Sequence, residues 1–325
     1  MFSLNELEQT ADLVHQQMNP TPQHNWPQLC QSSGCDVWVK HENHTPTTAF
    51  KVRGGINLLH RLMQQPDKPR GIISATRGNH GQSLAFAGNR AGLPVTIVVP
   101  ECNSADQNRA IQSHGANLVV HGEDFEAARL HSLELQQQLG YQPIAPFERD
   151  LVLGVATYAL ELLTSVRDLD AVYVPIGMGS GISGLIKTRD LLGLKTEIIG
   201  VVSEGAPAFA RSFDSGKIVT TEHANTMADG IATRAPMEQA FEIIKGGAER
   251  VITVSEQQII AAMYQYYQST HNLAEGAAAA PLAALNKEKA LMKGKRVALI
   301  LSGGNIDFER FCGYINDYRA QSERS

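Results

Sequence analysis

The sequence predicts an α/β protein of two lobes, each an open, mostly parallel twisted β-sheet flanked by helices. Three observations support this fold class. Short β-rich runs alternate with longer helical patterns along the chain. The alternation occurs in two successive series, which predicts two lobes. The candidate strands of the second series are apolar almost throughout, as is typical of strands buried on both faces of a parallel sheet.

The first series predicts the smaller lobe. Each of its three candidate strands is followed by a helical pattern. In chain order, the strand and helix pairs are 71–75 and 80–91, 94–100 and 104–114, and 117–122 and 124–139. This βα order predicts a parallel sheet covered by the helices that connect its strands.

The second series predicts the larger lobe. Its candidate strands are 171–177, 197–204, 251–255 and 296–304, with helical patterns such as 256–270 and the alanine-rich 274–285 between them. The early strand 36–42 has no helical pattern directly after it, so it could pair in this later sheet. Two prolines in 141–150 indicate that the chain crosses between the lobes there. We therefore predict a large, discontinuous domain of residues 1–45 and 150–325 and a small domain of residues 46–149.

Composition and charge favour a small molecule as the partner of this protein. The chain has 325 residues, of which 43% are hydrophobic, enough for one large or two medium packed domains. The net charge of −5 and the lack of a Lys/Arg-rich block disfavour nucleic acids and anionic membranes. The N-terminal segment is an amphipathic helical pattern rather than a signal peptide, and no apolar run reaches the roughly 18 residues of a membrane span. We expect a cytoplasmic protein.

A glycine-rich stretch, VPIGMGSGISG at 174–184, follows a buried candidate strand and leads into a helix. Its glycines are Gly177, Gly179, Gly181 and Gly184. Glycines let successive backbone N–H groups turn inward, so this stretch could bind a phosphate at a helix N-terminus. The same spacing, with Glu204 at the end of the next strand, also fits a dinucleotide fingerprint. The stretch alone therefore does not separate a nicotinamide-dependent oxidoreductase from a phosphate binder, and a plain turn is a third interpretation.

Two further motifs follow candidate strands, where α/β proteins bind ligands. In SATRGNHG, residues 74–81, the side chains of Asn79 and His80 could reach a bound ligand, although a helix cap at Asn79 is an equally good interpretation. In LSGGNID, residues 301–307, the hydroxyl of Ser302 could do the same, although an ordinary turn explains the motif when it is taken alone.

The stretch HENHTPTTAFKVRGG, residues 41–55, contains a candidate nucleophile, Lys51. A lysine becomes nucleophilic only if its pKa is lowered by burial or by a nearby cation, for which Arg53 is a candidate. For an isolated lysine, an exposed surface position is the better interpretation, because lysines are rarely buried without a partner.

The order of these motifs resembles the fold type II pyridoxal-phosphate enzymes, and within them the serine/threonine dehydratase and serine racemase group. The resemblance covers roughly residues 20 to 310. The family's S-F-K-x-R-G-A, S-x-G-N-H-G, glycine-tetrad and S-G-G-N elements match AFKVRGG, TRGNHG, GMGSG and SGGN. Its late D-G and E-G elements match ADGIATR at 228–234 and AEGAAAA at 274–280. The larger domain would then carry pyridoxal 5′-phosphate.

The resemblance implies a role for each matching residue. Lys51 would bind the cofactor as a Schiff base and then remove the Cα proton of the substrate. Asn79 would hydrogen-bond the ring hydroxyl, and Ser302 would contact the pyridine nitrogen. The other implied cofactor contacts are Phe50 against the ring, Gly177, Met178, Gly179, Ser180 and Gly181 around the phosphate, and Gly230 and Glu275 near the ring. The implied substrate contacts are Thr76, Arg77, Gly78 and His80.

The implied activity is that of a pyridoxal-phosphate-dependent ammonia-lyase. A neutral serine beside the pyridine nitrogen makes the ring a weaker electron sink than a carboxylate would, which favours loss of a β-substituent. The expected reaction is β-elimination of water from a β-hydroxy amino acid such as L-threonine or L-serine, giving a 2-oxo acid and ammonia. A nicotinamide-dependent oxidoreductase and a ligand-sensing module are the rival interpretations.

Arg77 departs from the family pattern. It stands where racemising relatives have a serine that acts as the second acid/base, and a guanidinium does not donate protons near neutral pH. We therefore expect weak racemisation, with an amino-acid racemase as an alternative activity. Arg77 could instead pair with a second substrate carboxylate, as in threo-3-hydroxyaspartate, or turn outward to solvent or to a neighbouring acid.

We expect no metal site and a homodimer, with a monovalent cation on backbone carbonyls near Glu204 as an alternative. The cysteines Cys30, Cys35, Cys102 and Cys312 lack paired spacing, so they are predicted to be reduced thiols rather than zinc ligands. Some relatives bind a divalent cation after the strand that ends at Glu204, but the following GAPAFA offers no second carboxylate. The homodimer is implied by the resemblance.

Overall fold

Two β-sheets form the framework of the computed structural model, which describes residues 1–322. The strands in chain order are β1 (Gln23–Asn25), β2 (Asp36–His41), β3 (Ile72–Ala75), β4 (Val95–Val99), β5 (Asn117–Val120), β6 (Gln142–Pro143), β7 (Ala171–Pro175), β8 (Glu197–Ser203), β9 (Arg250–Val254) and β10 (Arg296–Leu301). Within residues 1–322, no helix combines the length and the apolar character that a bilayer crossing requires.

Helices connect these strands and cover both sheets. In chain order they are α1 (Leu4–His15), α2 (Pro27–Ser33), α3 (Lys51–Gln64), α4 (Asn79–Ala91), α5 (Ala105–Ser113), α6 (Phe125–Leu139), α7 (Arg149–Ser165), α8 (Ser180–Leu191), α9 (Ala208–Ser215), α10 (Glu238–Gly247), α11 (Glu256–Thr270), α12 (Gly276–Lys287), α13 (Lys289–Met292) and α14 (Phe308–Ser322). Two short 3₁₀ helices, Glu42–His44 and Asp229–Ile231, complete the regular structure.

The larger sheet has six strands in the order β1-β2-β10-β7-β8-β9. All neighbouring strands are parallel except the β1–β2 pair. Strand β2 pairs in parallel with β10, so the prediction that the early strand joins the later sheet is confirmed. Alternate side chains enter two apolar layers: Tyr173 and Leu299 pack with α11 and α12, and Val172 and Ala298 pack with α7 and α8.

The smaller sheet has four parallel strands in the order β5-β4-β3-β6. Ile72 and Ile97 face α3 and α4, whereas Ile73 and Val98 face α6. The predicted strands of both series occur within one to three residues of their predicted limits. The sequence pattern does not predict β1 or β6, because these strands are only three and two residues long and lack apolar alternation. The α/β fold class is confirmed, while the proposed domain limits stay a prediction.

A buried charge network lies behind the N-terminus of α3. The Arg53 guanidinium is fully buried and donates to Glu42 at 2.7 Å and to Glu161 at 2.6 Å, and Lys40 also pairs with Glu161. These groups join α3 to β2, to the 3₁₀ helix that follows it and to α7. Two cations and two carboxylates compensate each other here, which is the condition under which buried charges are tolerated. The network therefore fixes the position at which α3 begins.

Removing Arg53 should destabilise the fold strongly. In Arg53→Ala the carboxylates of Glu42 and Glu161 lose their main partner while remaining buried, so we expect the free energy of unfolding to fall by about 3–5 kcal/mol. Urea denaturation followed by circular dichroism measures this change. Arg61→Ala, on the same helix but paired with Glu6 at a partly exposed site, is the matched control and should cost less than about 1 kcal/mol. Equal losses in both variants would contradict the stabilising role of the network.

Candidate active site

A cavity of about 1310 Å³ opens between the two sheets, beyond the carboxyl ends of β3, β7 and β10. Parallel strands place the loops after their carboxyl ends on the same side, which is where α/β proteins bind ligands. The cavity is lined by residues that follow strands of both sheets, including Lys51, Asn79, Gly179 and Ser302. Candidate residues far apart in the sequence therefore meet in one space.

Four helices begin at the wall of this cavity. Helix α3 starts at Lys51, α4 at Asn79, α8 at Ser180 and α12 at Gly276, and each of these residues lines the cavity. None of the four helices has a side-chain hydrogen bond at its N-cap. In α4, α8 and α12 the first backbone N–H groups are therefore available to a ligand, whereas in α3 the N–H groups of Val52 and Arg53 donate to Ala49 O and Phe50 O. The dipoles of all four helices favour negative charge at this position. The cavity is suited to anionic ligands.

Lys51 is half-buried at the start of α3. Its Nζ lies 3.3 Å from Ser180 Oγ and 5.3 Å from the centre of the Phe50 ring. Burial lowers the pKa of the Lys51 amine from the ordinary 10.5 to about 8. Arg53 does not act as the activating cation, because its guanidinium lies in the buried network with Glu42 and Glu161. Of the two causes expected from the sequence, the structure supports burial.

The segment before Lys51 is fixed to the segment that follows β10. Phe50 N donates to Ser302 O at 3.0 Å, Gly304 N donates to Thr48 O at 2.9 Å, and Ala49 forms a β-bridge with Gly303. Thr48 has a φ of 50°, which a β-branched residue adopts only when its surroundings hold it there. Lys51 and Ser302 are thus positioned relative to each other by the backbone.

The glycine-rich loop between β7 and α8 forms another wall of the cavity. A Cβ atom at Gly177 would lie 2.1 Å from Gly230 O, so a larger residue cannot be accommodated there. Gly179 has a φ of 95°, and a Cβ atom at this position would lie 2.8 Å from Ala240 Cβ. The loop leads into the uncapped N-terminus of α8 and presents backbone N–H groups together with the Ser180 hydroxyl. This arrangement fits a phosphate group.

Phe50 is supported from behind the loop. Its ring meets the buried Tyr158 edge-on, with ring centres 6.3 Å apart, and Tyr158 Oη donates to Gly181 O at 2.9 Å. Ser302 is only 5% exposed and lines the cavity, and its hydroxyl has no hydrogen-bond partner among residues 1–322. A hydroxyl without a protein partner at the wall of a cavity is suited to a polar atom of a ligand.

Asn79 is held between two side chains of the larger lobe. Its Nδ2 donates to Glu275 Oε1 at 2.9 Å, and its Oδ1 accepts from Asn305 Nδ2 at 2.8 Å. Burial raises the pKa of Glu275 to about 7, and the negative charge of Asp229 adds to this rise; hydrogen bonds from Asn79 and the Asn305 backbone oppose it. Asn305 is the last residue of the SGGN motif, but no role for it was predicted from the sequence.

The residues predicted to contact substrate lie at the start of α4. Thr76 Oγ1 accepts from the backbone N–H of Gly78, the N-cap of α4. His80 is buried, its Nε2 has no partner within residues 1–322, and burial together with the positive charge of Lys51 lowers its pKa to about 3.

Arg77 faces the larger lobe across the cavity. Its Nη1 lies 3.5 Å from Asp229 Oδ1, and the two side chains are 47% and 54% exposed. Arg77 is thus paired with a neighbouring acid, one of the arrangements considered from the sequence, and both side chains also line the cavity. Within residues 1–322, no group of three or more His, Cys, Asp or Glu side chains is placed to hold a metal ion.

Comparison with known proteins connects this geometry to a family. Residues 14–303 match the family model described as pyridoxal-phosphate dependent enzyme. The L-threonine ammonia-lyase of Thermotoga maritima is 33% identical over 298 residues, which cover 91% of this chain and 74% of that protein. The crystal structure of a T.th. threonine deaminase superposes with a TM-score of 0.87 at 30% identity, covering 94% of this chain and 99% of that one. Serine racemase from Dictyostelium discoideum superposes with a TM-score of 0.86 at 29% identity, covering 94% and 99%.

Glu275→Gln should stabilise the cofactor-free protein in a pH-dependent way. Because the pKa of Glu275 is raised from 4.5 to about 7, the folded protein binds more protons than the unfolded chain between these values. The contribution of Glu275 to the free energy of unfolding therefore falls as the pH rises from about 4.5 to about 7. Above about pH 7, ionised Glu275 destabilises the folded protein by roughly 2–3 kcal/mol. We expect the variant to gain roughly 2 kcal/mol near pH 8 and less than about 1 kcal/mol near pH 5.

Urea unfolding at the two pH values measures this difference. Glu249→Gln, at an exposed position of the larger lobe, is the control and should change neither value. An equal effect of Glu275→Gln at both pH values would contradict a raised pKa.

Proposed function

This chain belongs to the family of pyridoxal-phosphate dependent enzymes, and we propose that it eliminates water from L-threonine or L-serine, releasing a 2-oxo acid and ammonia. The predicted cofactor, pyridoxal phosphate, is confirmed by the family match over residues 14–303. The observation that carries the proposal is the buried amine of Lys51, with a pKa of about 8, beside Ser180 of the glycine-rich loop. The names of the related ammonia-lyase and deaminase support the reaction.

The residues around the cavity fit the cofactor. We assign the phosphate to Gly177–Gly181 and the N-terminus of α8, the ring hydroxyl to Asn79 and the ring nitrogen to Ser302, with Phe50 against the ring. When bound, pyridoxal phosphate supplies an electron-withdrawing ring that stabilises negative charge developing at the substrate Cα. Because Ser302 is neutral, the protein adds no fixed negative charge beside the ring nitrogen. This favours early loss of a β-substituent over long-lived carbanion chemistry.

Lys51 supplies the base. With a pKa of about 8, about one amine in ten is neutral near pH 7, compared with roughly one in several thousand at the ordinary pKa of 10.5. The neutral amine can attach the cofactor and, when released, accept the Cα proton of the substrate. The uncapped N-terminus of α4, with Gly78 as its N-cap, is placed to bind the substrate carboxylate through backbone N–H groups.

The pairing of Arg77 with Asp229 favours neutral substrates. Asp229 already balances the charge of Arg77 across the cavity, so a second substrate carboxylate would have to displace it. A guanidinium also supplies no proton to the substrate face opposite Lys51, so racemisation should be weak. The threo-3-hydroxyaspartate dehydratase and racemase alternatives are therefore less favoured than dehydration of threonine or serine. The family match gives no support to the nicotinamide alternative.

We further propose that the active protein is a cytoplasmic homodimer with a small-molecule amino-acid substrate. The substrate class follows from the family. The dimer rests on the resemblance between the motifs of this chain and those of the serine/threonine dehydratase group, and the cytoplasmic location is the expectation drawn from the sequence.

Lys51→Ala should abolish both cofactor attachment and activity. We expect the wild-type protein, supplied with pyridoxal phosphate, to show the visible absorption band of the lysine-bound cofactor and to release 2-oxo acid from threonine or serine. The variant should lose both, because it lacks the amine. Lys68→Ala, at an exposed position after α3, is the matched control and should retain both. A band or 2-oxo acid release that persists in Lys51→Ala would refute the proposal.

Specificity should depend on the Arg77–Asp229 pair. In Asp229→Asn the guanidinium of Arg77 is no longer balanced, so kcat/KM for threo-3-hydroxyaspartate relative to threonine should rise roughly two- to fivefold. Adding Arg77→Ala should remove the gain. Steady-state assays with threonine, serine and threo-3-hydroxyaspartate measure these ratios. If the wild type already prefers the acidic substrate and Arg77→Ala abolishes that preference, Arg77 binds the second carboxylate instead.

A further inference from the structure

A chain of side-chain hydrogen bonds runs from the loop before Lys51 to Glu275. Asn305 Nδ2 donates to Thr47 O at 2.8 Å and to Asn79 Oδ1 at 2.8 Å. Asn79 Nδ2 in turn donates to Glu275 Oε1 at 2.9 Å. We call these four residues the Asn79 chain. Its members come from four separate segments: the loop before α3, the start of α4, the N-cap of α12 and the segment after β10.

The direction of every bond in the Asn79 chain is fixed by its first member. The Thr47 carbonyl can only accept a hydrogen bond, so Asn305 must present its amino group to it. The Thr48 hydroxyl donates to Asn305 Oδ1, which agrees with this orientation. Asn79 must then present its oxygen to Asn305 and its amino group to Glu275. If the Asn79 amide were reversed, its amino group would face the amino group of Asn305, and its oxygen would face the Glu275 carboxylate. Neither contact would be a hydrogen bond.

The orientation leaves one N–H of Asn79 without a protein partner. The amino group carries two hydrogens, of which Glu275 accepts one, and the second has no partner among residues 1–322. Asn79 also lines the cavity. The free N–H is therefore the part of the side chain available to a ligand.

We propose that Asn305 and Glu275 are positioning residues that hold the Asn79 amide in one orientation, with one N–H reserved for the ring hydroxyl of the cofactor. This inference rests on the proposed function, because it assumes that Asn79 contacts the cofactor. Neither residue needs to touch the reacting atoms of the substrate. Their contribution is to prevent the amide from presenting its oxygen to a ring oxygen, where it could not donate.

The surroundings of the Asn79 chain support a fixed arrangement. Glu275 is 9% exposed, so water competes little for its carboxylate. Gly303 leaves room for that carboxylate, because a Cβ atom there would lie 2.9 Å from Glu275 Oε1. The Asn305 backbone is held from the smaller lobe, since its carbonyl accepts from Gln107 Nε2 at 3.1 Å.

Ionisation of Glu275 should affect how firmly Asn79 is held. The carboxylate is a stronger acceptor than the protonated acid, and the pKa of Glu275 lies at about 7 because of burial and the charge of Asp229. Asp229, in the 3₁₀ helix beside Gly230, is the charged side chain whose field acts on Glu275. The hydrogen bond from Asn79 to Glu275 is therefore weaker below neutral pH than above it.

A double-mutant cycle on cofactor affinity tests the role of Asn305. Equilibrium dialysis of pyridoxal phosphate against the cofactor-free protein gives the dissociation constant without any activity assay. We expect Asn79→Ala and Asn305→Ala each to weaken binding about tenfold, and the double variant to be no weaker than Asn79→Ala alone. Asn286→Ala, which removes a donor to Gln265 on a neighbouring helix, is the control and should stay within about twofold.

Additive losses would overturn the inference for Asn305, because they would show that Asn305 acts on the cofactor site without Asn79. Asn305→Asp guards against a folding defect, since it keeps the shape of the side chain but cannot donate to Asn79 or Thr47. Asn305→Asp should also weaken binding of pyridoxal phosphate. Its thermal unfolding should remain cooperative, which would show that the variant is folded. Wild-type affinity in Asn305→Asp would also overturn the inference.

The role of Glu275 is tested by the pH dependence of Glu275→Gln. Glutamine keeps an acceptor oxygen for Asn79 but does not ionise. The ratio of the variant and wild-type dissociation constants should therefore change roughly three- to fivefold between about pH 6 and pH 8.5. A ratio that stays constant over this range would overturn the inference for Glu275. If the wild-type protein does not bind pyridoxal phosphate, the proposed function itself is refuted. If the wild type binds the cofactor and the Asn305 variants bind it equally well, only the inference about Asn305 is refuted.

Discussion

The convergence of four helix N-termini on one cavity is the constraint on which the rest of the site depends. It follows from the topology, because parallel strands joined by helices place the start of each helix just beyond the carboxyl end of a strand. Helices α4 and α8 begin after β3 and β7 in this way, and α3 and α12 begin on the same side. Without this convergence, Lys51, Asn79 and Ser302 would be isolated polar residues at the ends of separate strands.

Hydrogen bonds connect the two lobes at the site. The segment before Lys51 pairs with residues 302–304 of the larger lobe, and Asn79 contacts Glu275 and Asn305. The buried network around Arg53 holds α3 from the opposite side. Lys51 therefore lies between this charge network and the cavity. Its pKa is lowered by burial, and the Arg53 guanidinium is occupied by Glu42 and Glu161.

Much of the fold could be predicted from the sequence, because each strand of the two series is a short apolar run and several of the connecting helices have a clear pattern. The placement of Lys51, Asn79, the 177–181 loop and Ser302 around one cavity was also predictable, since motifs at strand ends meet in this topology. The hydrogen-bond and ion-pair partners of Arg53, Arg77 and Asn79 could not be predicted from the sequence. Arg77 and Asp229 are 152 positions apart, and Asn79 and Asn305 are 226 apart, so no local pattern indicates these contacts.

The pKa shifts of Lys51 and Glu275 have the same physical cause, which is burial. Burial lowers the pKa of the amine to about 8 and raises that of the carboxyl to about 7, so the site favours the neutral form of both groups. The guanidinium of Arg77, just before α4, is paired with Asp229. In the proposed function, the attraction for the cofactor phosphate and the substrate carboxylate comes mainly from backbone N–H groups at the starts of α8 and α4. Backbone N–H groups attract anions at every pH, whereas the Lys51 amine, with a pKa of about 8, can gain or lose a proton close to neutral pH.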